Sequence, residues 1–125
     1  MACILIIDDE PQLLDMLGQT LEREGYDIVK ASNGKEGIRL YRENPVDLII
    51  TDIIMPEKEG LETVMELRRD FPEVKIIAIS GGGRVNPDEY LHMAAKLGAQ
   101  LTLTKPFERD ELLAAVEELL GQHYT

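Results

Sequence analysis

Cys3-Ile4-Leu5-Ile6-Ile7-Asp8-Asp9-Glu10-Pro11 is the stretch that decides the fold. An unbroken apolar run rich in isoleucine describes a short strand covered on both faces, the pattern of a buried parallel sheet. It stops abruptly at two carboxylates. Pro11 then suits the first turn of a helix, where a missing N–H leaves nothing unpaired. Leu14, Leu17 and Leu21 follow at helical spacing, and Gly25 is placed to end that helix. A strand, an acidic turn and a helix thus occupy the first 25 residues.

The same alternation continues to the end of the chain without any sequence repeat. Further strands are expected at residues 26–31, 47–51, 75–80 and 101–104. A second helix opens at Asn33-Gly34 and must stop before Pro45, since the residue preceding proline is driven out of the helical region. A third runs from about Gly60 to Arg69 with Leu61, Val64 and Met65 inward. A fourth begins after Asn86-Pro87-Asp88 and closes at Gly98. The fifth carries Leu112, Val116, Leu119 and Leu120 on one side and Glu111, Glu117 and Glu118 on the other. Strands alternating with helices at this spacing imply right-handed crossovers and a parallel sheet. The expected architecture is an α/β, doubly wound (βα)5 domain filling residues 1–125.

Composition bounds the function. The chain has 125 residues, a single-domain length that supports a core without metal or disulfide support. Its formal net charge of −11 disfavours direct binding to nucleic acid or to anionic membrane, because phosphates attract basic stripes. Basic protein partners and metal ions remain compatible. The single cysteine, Cys3, cannot form an internal disulfide and reads as a small buried hydrophobe in a reducing, cytoplasmic setting. No secretory leader is evident, and no apolar run approaches the ~20 residues of a membrane span.

Function is written at the strand ends. The first apolar run meets Asp8-Asp9, the run 47–51 meets Asp52, and the run 101–104 meets Lys105-Pro106. In a parallel sheet these residues gather at one carboxyl edge, where open α/β sheets hold their ligands. Any one acid there reads as solvated turn. Three acids and a lysine from distant strands do not, because like charges about 4 Å apart repel by ~4 kcal/mol at an effective dielectric near 20. A divalent cation reverses that cost, and carboxylate oxygens suit Mg²⁺. Asp52 stands alone at its strand tip and is the candidate nucleophile, able to attack phosphorus and form an acyl phosphate. Asp8 and Asp9 come as a pair suited to holding the cation, and Lys105 would neutralise phosphoryl charge.

With these residues in place, the chain resembles the receiver domains of two-component response regulators, the CheY-like family. Ile7-Asp8-Asp9-Glu10, Thr51-Asp52-Ile53-Ile54-Met55-Pro56, Ile79-Ser80-Gly81 and Leu97-Gly98-Ala99 leading to Thr104-Lys105-Pro106-Phe107 carry the resemblance, which covers residues 3 to about 120. It implies a flavodoxin-like sheet of five parallel strands in the order 2-1-3-4-5. It implies that Asp52 accepts a phosphoryl group from a histidine kinase or phosphotransfer protein, and that the signal leaves through contacts with a downstream protein. By the same resemblance Asp9, Asp52 and the Ile54 carbonyl would ligate Mg²⁺ directly, with Asp8 acting through water. Lys105 and Ser80 would contact phosphoryl oxygens, and the Lys105-Pro106 peptide would be cis. Such a protein catalyses only its own phosphorylation and dephosphorylation and is not otherwise an enzyme.

Two positions depart from the family pattern. Thr102 stands where an aromatic ring usually sits, which bears on how the switch is transmitted. The segment Gly81-Gly82-Gly83-Arg84-Val85-Asn86-Pro87 is a few residues longer than usual and rich in mobile backbone. Of the remaining candidates, His92 and His123 lie away from the acids in the expected fold. Met16, Met55, Met65 and Met93 read as core or loop filling.

Three rival readings share this architecture. A flavodoxin would place small hydroxyl and glycine residues in its first loop, the opposite of Asp8-Asp9-Glu10-Pro11. A phosphohydrolase of the haloacid dehalogenase type would carry a general acid/base two residues after Asp52, where Ile54 stands. An interaction module that is never phosphorylated has no need of the full set of acids and lysine.

Overall fold

In the computed structural model, which describes residues 2–53, 59–81, 92, 94–96 and 98–121, strands β1(Cys3–Ile7), β2(Asp27–Ala31), β3(Leu48–Asp52), β4(Ile76–Gly81) and β5(Leu101–Lys105) form one sheet. Every pairing is parallel and the spatial order is β2-β1-β3-β4-β5, as the resemblance implied. Helices α1(Pro11–Arg23), α2(Gly34–Glu43) and α3(Glu59–Asp70) connect the early strands, and a carboxyl-terminal helix spans Arg109–Leu120.

Two-sided burial explains the unbroken apolar runs. Along β1, Leu5 and Ile7 face the layer containing Tyr41 of α2 and Leu61, Val64 and Leu67 of α3. The alternate residues Ile4 and Ile6 face Leu14, Leu17 and Leu21 of α1 and Leu112 and Val116 of the last helix. Strands β3 and β4 divide the same way, with Ile49 and Ile76 on one side and Ile50 and Ile77 on the other. Each fully buried isoleucine of this kind contributes about 1.5–3 kcal/mol of transfer free energy.

Local signals set the element ends. Asn33 caps α2 by accepting the Glu36 N–H at 2.8 Å, and the Glu36 carboxylate reaches back to the Ser32 N–H. Gly25 follows α1 at φ 96°, a left-handed position that suits glycine. Observed bounds differ from the expected ones by a residue or so. The expected fourth helix falls largely outside the described residues, of which His92, Ala94, Ala95 and Lys96 are helical and His92 is exposed.

Three expectations need correction. Met65 and Met16 are about half exposed, not core. At 100° per residue Met65 turns away from the row formed by Gly60, Val64 and Leu67, and Met16 lies opposite the Leu14–Leu17–Leu21 stripe. Cys3 is only partly buried, because it begins its strand at the rim, where its N–H donates to Asp47 Oδ2 at 2.8 Å.

The amino-terminal rim of the sheet is tied by Arg68. Its guanidinium donates to the carbonyls of Pro72, Val74 and Gly98, the last two at 2.6 and 2.8 Å. Gln100 accepts the Ile76 N–H at 2.8 Å and donates to the Val74 carbonyl at 2.9 Å. Gly98 itself sits at φ 136°, and a Cβ there would meet Arg68 carbons at 2.8 Å. Gly98→Ala should therefore destabilise by about 1–3 kcal/mol, read as a lower urea midpoint at unchanged m-value.

Candidate functional site

The sheet register assembles the acids. Ile7 pairs with Thr51, so the next residues, Asp8 and Asp52, stand side by side on adjacent strands. The Asp8 N–H extends the ladder to the Ala31 carbonyl at 3.1 Å. One Asp8 oxygen, Oδ1, accepts the Glu10 N–H at 2.8 Å and closes the turn into α1. The other, Oδ2, is buried without a hydrogen-bond partner among the described residues. Asp52 is buried as well, and Lys105 Nζ from β5 reaches its Oδ2 at 2.8 Å.

A third carboxylate, that of Glu10, joins them. Oxygens of Asp8, Glu10 and Asp52 lie within 4.8 Å of one another, and Glu10 Oε1 is 3.8 Å from Lys105 Nζ. Asp9 is exposed and outside this group. Successive side chains of an extended segment point to opposite sides, so turning Asp8 inward sends Asp9 out and brings Glu10 back. Glu10 was visible in the sequence only as part of the Asp8-Asp9-Glu10 run; its place two residues beyond Asp8 is the signal that distinguishes it.

Ser80 lies in β4, the next strand beyond β3, where Asp52 pairs with Ile79. It is fully buried, and its Oγ has no hydrogen-bond partner among the described residues. Thr102 is half-buried opposite Ala78, and the Lys105-Pro106 peptide is cis. Ile54 and residues 82–90 lie outside the described residues, so the expected carbonyl ligand and the glycine-rich loop are not placed.

Burial and crowded charge shape the electrostatics of the site. Loss of hydration on burial raises the Asp8 pKa to about 6. The Glu10 N–H and Lys105 pull it down, while the charges of Asp52 and Glu10 push it further up. Burial also works against the Lys105 ammonium, yet its hydrogen bond to Asp52 and the surrounding carboxylates outweigh this and raise its pKa. Three carboxylates facing one ammonium leave excess negative charge at an edge where Asp8 Oδ2 has no donor among the described residues. Hard oxygen donors with that charge fit a divalent cation such as Mg²⁺.

Comparison with known proteins agrees with this geometry. The family model described as response regulator receiver domain matches residues 4–117. The transcriptional regulatory protein GlrR of Escherichia coli (strain K12) is 36% identical over 121 residues, covering 97% of this chain and 27% of its own length. The chain thus spans about a quarter of the curated relatives it matches. Among solved structures, a response regulator receiver domain protein from Clostridium thermocellum superposes with TM-score 0.88 at 32% identity, over 97% of this chain and 95% of the other. The response regulator protein TrrA from Thermotoga maritima, in complex with Mg(2+)-BeF, gives 0.84 at 34% identity over 96% and 100%. Sheet order, strand-edge acids and these matches agree: the chain belongs to the response regulator receiver domain family, whose function is phosphorylation-dependent two-component signalling.

Proposed function

We propose that Asp52 is the phosphoacceptor of this chain, loaded by a histidine kinase or a histidine phosphotransfer protein. An Asp52 carboxylate oxygen attacks phosphorus, the P–O bond forms as the phosphohistidine P–N bond breaks, and the departing imidazole nitrogen keeps the electron pair and takes up a proton. The observation that carries this reading is the buried Asp52 carboxylate, held by Lys105 beside an Asp8 oxygen that has no hydrogen-bond partner among the described residues.

Asp8, Asp9, Asp52 and the Ile54 carbonyl would hold Mg²⁺, with Glu10 as a further oxygen at the open side. Bound there, the cation supplies charge neutralisation for the incoming phosphoryl oxygens. Lys105 stays charged and close, ready to pair with one of those oxygens. Ser80 offers its buried hydroxyl to another. That the similar T. maritima protein is in complex with Mg(2+)-BeF supports Mg²⁺ as the cation.

Residues 1–125 would act as one receiver domain that catalyses only its own phosphorylation and dephosphorylation. It would work in the cytoplasm and pass its state to a protein partner, with neither nucleic acid nor membrane bound directly. Among the described residues no helix is long and apolar enough to cross a membrane.

The test is incubation with acetyl phosphate and Mg²⁺ followed by intact mass. One added phosphoryl group is expected, and none when the cation is chelated. A chain that stays unmodified under both conditions would overturn the proposal.

A further inference from the structure

The peptide unit joining Asp52 to Ile53 is held on three sides. Its N–H donates to the Ile79 carbonyl of β4 at 2.9 Å. Its carbonyl accepts the Thr51 hydroxyl at 3.1 Å. Gly60, near the start of α3, lies flush against it: a Cβ there would sit 2.3 Å from Ile53 Cα, 2.7 Å from Ile53 C and 2.7 Å from the Asp52 carbonyl oxygen. These are backbone atoms, which cannot rotate aside as a flexible side chain can.

Neither residue is the one that shape in a strand or propensity in a helix would favour. Thr51 is fully buried, in the same alternate row of its strand as Ile49 and Ile53, where valine would satisfy shape without burying a hydroxyl. Burying a hydroxyl is costly unless it is hydrogen-bonded. The Thr51 hydroxyl donates to the carbonyl of Asp52 itself. Gly60 gives up the better helix propensity of alanine and gains contact with that same peptide.

We propose that Thr51 and Gly60 are positioning residues for the Asp52 carboxylate. By fixing the plane of the peptide that follows Asp52, they restrict rotation about its Cα and keep the carboxylate 2.8 Å from Lys105 Nζ and beside Asp8. The proposal rests on Asp52 as the reacting residue, and it adds how that residue is aimed. A displacement of one ångström at a reacting group can cost about 10²-fold in rate, so even a small peptide rotation is measurable.

The experiment compares wild type, Thr51→Val, Thr51→Ser and Gly60→Ala. It reads urea midpoint, the initial rate of acyl phosphate formation at saturating acetyl phosphate and Mg²⁺, and the ¹³C shift of the Asp52 carboxyl. Thr51→Val should fold with a midpoint close to wild type, yet lose about 5–10-fold in rate with a displaced Asp52 signal. Thr51→Ser, which keeps the hydroxyl, should recover both to within about twofold, a rescue that a purely structural role would not produce. Gly60→Ala should lose more than about tenfold in rate, since the backbone itself must shift. Should Gly60→Ala fail to fold, the Thr51 pair decides. A Thr51→Val protein with wild-type rate and an unmoved Asp52 signal would overturn the proposal. If wild type itself is never phosphorylated, the phosphoacceptor reading fails, and the carboxyl shift still decides whether Thr51 aims Asp52.

Discussion

Asp52→Asn should yield a folded chain that takes up no phosphoryl group from acetyl phosphate. The amide is close to the carboxylate in size and can still accept from Lys105, so the 2.8 Å contact loses charge but not shape. What disappears is the anionic nucleophile, without which no acyl phosphate forms. Removing one of three crowded negative charges should also leave the cation-free variant as stable as wild type or more so. Intact mass checks the first outcome and urea unfolding the second. Tandem mass mapping guards against labelling of Asp8, Asp9 or Glu10; a variant still labelled to the wild-type extent would mean that another residue is the acceptor.

Asp8→Asn should change stability and cation binding in opposite directions. The folded pKa of Asp8 is raised to about 6 from an unfolded value near 3.8, chiefly by burial. The native state therefore holds its proton more tightly than the unfolded chain. Below pH 3.8 both forms are protonated and the group carries no penalty. Between 3.8 and about 6 the unfolded chain has ionised while the native state still holds its proton, so stability falls across that window and levels off once the buried carboxylate ionises. The variant escapes that cost, so cation-free Asp8→Asn should exceed wild type by about 1–3 kcal/mol at pH 7.5. The advantage should vanish near pH 4. Magnesium should close most or all of that gap: a hundredfold excess over its dissociation constant adds about 2.7 kcal/mol to a protein that binds it, and Asp8→Asn should gain almost nothing. Urea unfolding at both pH values, with and without Mg²⁺, reads every arm. A variant that is stabilised by Mg²⁺ as much as wild type would remove Asp8 from the cation site.

Much of this was readable before any coordinates. Runs such as Ile4 to Ile7 are continuous because each residue finds a helix layer on its own face, so sheet type follows directly from the pattern. Asp8 and Asp52 could be brought together from their strand ends alone, because parallel register aligns successive strand termini. That Glu10 turns in beside them could not be read this way. It depends on how one turn folds, through the bond from the Glu10 N–H to Asp8 Oδ1, and an acidic run does not reveal which members turn inward. Met16 and Met65 were misread for a related reason, since methionine is apolar yet tolerates a helix face turned to water. Thr51 and Gly60 escaped attention because one looks like an ordinary strand residue and the other like an ordinary helix start. Their contacts with a single peptide exist only in three dimensions.

The Arg68 clamp has a bearing on Lys105. Gly98, one of its three tethered carbonyls, immediately precedes Ala99 and Gln100, and Gln100 is itself bonded to the base of β4. β5 is thus bolted at its root and carries its ammonium at the opposite tip, about 17 Å away for a five-residue strand. A lever anchored in this way can tilt, but it cannot slide by a residue against its neighbour. Whatever adjustment Lys105 makes when a new anion arrives must come from swinging its own flexible stem or from bending the tip.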